Sequence, residues 1–112
     1  MINYHHKKFR SVNNTENGEV GAETLFHYEQ EGVVLTATYA GGQILKGNLV
    51  GKVDEQGKIE MRYQHLNTQL EFKTGRCVST PEVLPNGKIR LHEKWQWTSG
   101  DQSIGESIIE EV

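Results

Sequence analysis

The sequence predicts an all-β fold: one domain over residues 1–112, an antiparallel up-and-down meander of about eight strands. Three observations carry that expectation. Turn-forming residues recur about every ten to fourteen positions. Between the turns, side chains alternate with the period of two that separates the faces of a strand. No stretch holds a helical period; residues 16–30 come nearest, but they contain Gly18 and Gly21 and then alternate.

In chain order, strands are expected near residues 2–12, 22–29, 33–40, 43–53, 57–66, 69–80, 88–98 and 103–111. The first turn is Asn13-Asn14-Thr15-Glu16-Asn17-Gly18, followed by Gln30-Glu31-Gly32 and Gly41-Gly42. Asp54-Glu55-Gln56-Gly57, Asn67-Thr68, Asn86-Gly87 and Ser99-Gly100-Asp101 supply the remaining four. Connections this short favour pairing of each strand with the next. The seventh strand is the most explicit. Ile89, Leu91, Glu93, Trp95 and Trp97 point one way, whereas Arg90, His92, Lys94, Gln96 and Thr98 point the other.

Three hairpins test whether the apolar faces coincide. A loop at residues 54–57 sets Val53 opposite Ile59, Gly51 opposite Met61, Leu49 opposite Tyr63 and Gly47 opposite His65. A two-residue turn at Asn67-Thr68 sets Tyr63 opposite Phe72 and His65 opposite Leu70. A two-residue turn at Asn86-Gly87 sets Val78 opposite Trp95 and Arg76 opposite Trp97, unless a bulge at Pro81 shifts this last register by one. All three then share one core side. Closing the sheet removes both exposed edges, so a closed barrel is favoured, with a β-sandwich as the alternative. An eight-stranded barrel has an interior that side chains just fill, or that holds one small ligand.

Composition narrows the function classes. The formal net charge is −3 with both signs interspersed, which offers no general basic field to nucleic acid or to an anionic membrane. The single cysteine, Cys77, cannot form an intrachain disulfide and fits a reducing compartment. No charged-then-apolar leader and no long apolar run is present, so a cytoplasmic location is the expectation.

Glu93 is the sharpest chemical candidate, because a carboxylate among large apolar residues is desolvated and has a raised pKa suited to acid or base work. The alternatives are a position at the barrel rim or a structural ion pair with Arg76 or Arg62. Met61, Tyr63, Phe72, Arg76, Glu93, Trp95 and Trp97 are the expected ligand-facing set, with Tyr39 among the inner aromatics. Arg76 would either clamp a ligand carboxylate or stack on Trp97. The five histidines lack metal-ligand spacing, Cys77 falls on the wet face, and no glycine-rich phosphate cradle is present. Neither a metal nor a cofactor is therefore expected.

The run from Ser79, STPEVLPNGKIRLHEKWQWTSGDQSIGESIIEEV, together with FRSVNNTENGEV, resembles a family of small bacterial proteins often named N-acetylglutamate synthase. The resemblance covers almost the whole chain, and HEKWQWTSG is its most specific part. It implies acetyl transfer from acetyl-CoA to glutamate, but brings no catalytic residues with it. Acetyltransferases of that activity are mixed α/β domains with an R/Q-x-x-G-x-G/A loop leading into a helix, and this chain has neither. In shape the expected barrel is similar to the lipocalin and avidin class. The favoured function is thus binding of a small apolar or amphipathic ligand inside the barrel. A small-barrel isomerase or cyclase using Glu93, helped by Tyr63 or Arg76, comes second and a homodimerising module third; acetyl transfer comes last.

Overall fold

The computed structural model describes residues 2–112, so Met1 lies outside it. Eight strands follow one another: β1 (Lys8–Asn14), β2 (Leu25–Glu31), β3 (Val34–Gly41), β4 (Ile44–Val53), β5 (Ile59–Asn67), β6 (Phe72–Val83), β7 (Ile89–Trp97) and β8 (Ile104–Glu111). Each pairs antiparallel with the next, and β1 pairs with β8 to close the barrel. The all-β meander and its closure are therefore as the sequence predicts, and the sandwich is excluded.

The register of β4 on β5 is also the expected one, with Leu49 opposite Tyr63 and Gly51 opposite Met61. The two flanking β6 differ. The turn after β5 spans four residues, its backbone held by Asn67 Oδ1, which accepts from the N–H groups of Gln69 and Glu71. It pairs Leu66 with Phe72 and Tyr63 with Gly75. The turn after β6 spans five residues, 84–88, and sets Cys77 opposite Trp95 and Gly75 opposite Trp97.

This second turn repeats the one between β4 and β5. In each, a glycine with φ near +85° (Gly57 at 84°, Gly87 at 86°) donates its N–H three residues back, to Asp54 O or Leu84 O. Both register differences are odd, and an odd slip turns every side chain of a strand to the other face. No bulge forms at Pro81. The β6–β7 ladder runs unshifted through Pro81 opposite Leu91, and the β5 ladder ends at Ser79, so no N–H is needed on that side of the proline.

The meander places successive turns at alternate ends of the barrel. At one end, residues 2–7 tuck in as a plug rather than extending β1. Tyr4 is wholly buried against Phe9 and Tyr28; its hydroxyl donates to Gly57 O and its N–H to Gln30 Oε1. Leu35, Ile59, Leu91 and Ile109, all fully buried, join these rings in a dry core. At the other end the long β1–β2 connection, residues 15–24, folds across the opening.

Candidate functional site

The capped end holds a cavity of about 50 Å³, room for about two water molecules. Its cap is tethered to all three turns at that end. Asn17 Nδ2 donates to Ser103 Oγ and Ile104 O beside the β7–β8 turn, and Thr24 Oγ1 donates to Gly41 O at the β3–β4 turn. Asn67 Nδ2, at the β5–β6 turn, donates to the Glu19 carboxylate at 3.3 Å. Polar tethers of this kind can exchange with water, unlike the apolar packing at the plugged end.

Aromatic rings from four strands form the cavity wall. The Tyr63 and Trp97 centroids are 5.9 Å apart at 81°, and Trp95 and Trp97 are 5.4 Å apart at 59°. Phe26 stacks on Tyr39 at 4.9 Å. These rings fit because β6 presents small residues between them. Gly75 lies opposite both Tyr63 and Trp97, and Cys77 lies opposite both Met61 and Trp95. A Cβ on Gly75 would come within 2.3 Å of the Tyr63 ring. The indole N–H groups reach the cap and the strand end that leads into it: Trp95 Nε1 donates to Asn14 Oδ1 at 3.2 Å and Trp97 Nε1 to Asn17 O at 3.0 Å.

Glu93 stands half-buried within this wall and has no cationic partner among the described residues. Its two oxygens accept hydrogen bonds from the hydroxyls of Ser79, 2.8 Å away on β6, and Ser107, 3.0 Å away on β8. Burial raises its pKa above the usual carboxylate value, and the bonds from Ser79 and Ser107 offset part of that rise. The Cys77 thiol is a third, weaker donor to Glu93, and a carboxylate has about four acceptor positions, so one remains for a group arriving in the cavity. Burial also pushes the Cys77 thiol well up, which leaves it a poor nucleophile.

A second polar chain lies at the mouth. His65 Nε2 is 2.8 Å from Glu19 Oε1, and His65 Nδ1 is 3.0 Å from the Tyr39 hydroxyl. With the proton on Nε2, the imidazole donates to Glu19 and accepts from Tyr39. Burial lowers the His65 pKa; the bond to Glu19 opposes this, and Lys73 adds to it. The imidazole is therefore neutral near pH 7. Among the described residues no cluster of three His, Cys, Asp or Glu side chains is arranged to hold a metal.

Of the expected ligand-facing residues, Met61, Tyr63, Glu93, Trp95 and Trp97 line this cavity. Phe72 and Arg76 do not. The odd slip at the β5–β6 turn points Phe72 outward, 78% exposed. It also points Arg76 outward, where its guanidinium donates to Gln96 Oε1 at 2.6 Å rather than to Glu93 or across Trp97. Arg62 likewise faces out and meets Glu60, so neither expected ion pair of Glu93 forms. Cys77, expected on the wet face, is buried and lines the cavity.

Ser79, Ser107, Asn14 at the end of β1 and Glu19 in the cap were not among the expected residues. Gly75-x-Cys77-x-Ser79, small residues at period two between strands of large ones, was the available signal for β6. The cap has no periodicity to read.

Acetyl transfer gains no support from this architecture: the described residues contain no α-helix whose N-terminus could receive a pyrophosphate. No curated protein and no solved structure matches the chain. The family model described as Avidin-like protein does match, over residues 2–112. A match of that extent, on a closed eight-stranded meander, means that the chain belongs to the avidin-like protein family.

Proposed function

We propose that the protein binds one small molecule in the capped end of the barrel, with Met61, Tyr63, Glu93, Trp95 and Trp97 as the contact surface. The observation that supports this reading most is Glu93. A desolvated carboxylate with no cation destabilises a barrel that a neutral residue of similar size would fill, and such residues mark sites kept for function. Family membership favours the same reading, since a closed small barrel suits an enclosed ligand. The free cavity suits a ligand fragment of only a few heavy atoms, so anything larger enters by displacing the cap.

An amide- and indole-detected NMR screen with water-soluble fragments tests the proposal. The expected result is saturable shifts at the Trp95 and Trp97 indoles and along residues 14–20, with the outer wall unmoved. Shifts confined to the outer wall, or none with any fragment, would overturn it.

A further inference from the structure

The cavity is lined by two carboxylates, Glu93 and Glu19, and by one imidazole, but by no lysine or arginine. The basic residues of the neighbouring strands lie elsewhere. Arg62 and Arg76 are on the outer wall. Lys73 points its ammonium toward Gly100 of the β7–β8 turn. Beside Glu93 the wall contains three electron-rich rings, Tyr63, Trp95 and Trp97, held at steep angles to one another. Ring faces attract cations through their quadrupole, more strongly where water is excluded. A carboxylate with an acceptor position still open takes N–H donors best when those donors are charged. The two preferences coincide at one point in the molecule.

Resting on the reading of the cavity as a ligand site, we propose that its ligand is a small organic cation. A primary ammonium or amidinium would direct its N–H groups at Glu93 and lay its carbon part against Trp95, Trp97 and Tyr63. Such a ligand supplies the counter-charge that the protein itself withholds from Glu93. A carboxylate-bearing or phosphate-bearing ligand would instead bring like charge to Glu93 and Glu19 in a poorly solvated space. The serine hydroxyls cannot relieve that repulsion, since both already donate to Glu93.

Three probes of nearly equal size decide the matter: ethylammonium, ethanol and acetate, each titrated into the whole protein at pH 7 and followed by NMR at the two indole N–H signals. Fragments this small bind weakly, in about the millimolar range. Ethylammonium is expected to bind about tenfold or more tightly than ethanol, as a charged hydrogen bond to Glu93 implies, and acetate is expected to bind least. In Glu93→Gln the preference for ethylammonium over ethanol should disappear while ethanol binding persists. Equal binding of ethanol and ethylammonium to the natural protein would overturn the cation assignment and leave the ligand-binding cavity standing. Failure of all three probes to move the indoles would overturn both.

Discussion

Gly41→Ala is expected to lower the stability of the folded protein by about 3 kcal/mol or more. Gly41 ends β3 at φ +124°, a conformation that side-chain-bearing residues rarely adopt, and a Cβ there would lie 2.0 Å from the carbonyl oxygen of Glu23. That oxygen is backbone, so no rotamer change relieves the contact. Gly41 O also accepts from the fully buried Thr24, which seats the end of the cap on the β3–β4 turn. The neighbouring Gly42 is the control. Its φ is +62° and its nearest neighbour would be 3.8 Å away, so Gly42→Ala should cost only about 1 kcal/mol. Urea denaturation of the two variants separates them, and equal small losses would mean that the cap does not press on this turn.

The double substitution Ser79→Ala/Ser107→Ala should cost about 2–4 kcal/mol at a pH above the Glu93 midpoint, because hydrogen bonds to a charged group are worth more than those between neutral groups. Both serines are buried and both donate to Glu93. In a Glu93→Gln background the same pair of changes should cost about half as much. The pH dependence has a definite sign. Glu93 has its folded pKa raised above the ordinary value, so the folded state binds the proton more tightly than the unfolded chain does. Its contribution to stability is best at low pH and falls as pH rises from the ordinary carboxylate value through the raised one; at higher pH the full penalty is present. Removing the serine donors raises that pKa further, which deepens the decline. Denaturation midpoints across pH would show this, and an equal loss in both backgrounds would reduce the serines to packing.

The fold was legible because its signals are local. Alternation in Ile89–Trp97 and the recurrence of turn residues depend on nearest neighbours, and both survive in the structure. Register was harder, since it depends on how many residues each turn consumes. Asn67 closes its turn by capping Gln69 and Glu71 with a side chain, and Asn86-Gly87 belongs to a five-residue turn rather than a two-residue one. Counting both turns short reversed β6, and this alone misplaced Phe72, Arg76 and Cys77. Glu93, Trp95 and Trp97 kept their places because β7 carries its own pattern. The cap was beyond local reading: Asn17 and Glu19 find their side-chain partners 46 to 87 residues away in the chain.

Glu93 is a half-buried carboxylate, desolvated by the cavity wall, without a cation of its own among the described residues. Carbon-13 NMR of the glutamate side-chain carboxyls, with Glu93 identified by its absence from the Glu93→Gln spectrum, measures that state directly. The predicted result is a titration midpoint clearly above the ordinary 4.5, moving downward as ethylammonium is added. A midpoint at or below 4.5 in the free protein would show a solvated or already paired carboxylate and would contradict the account.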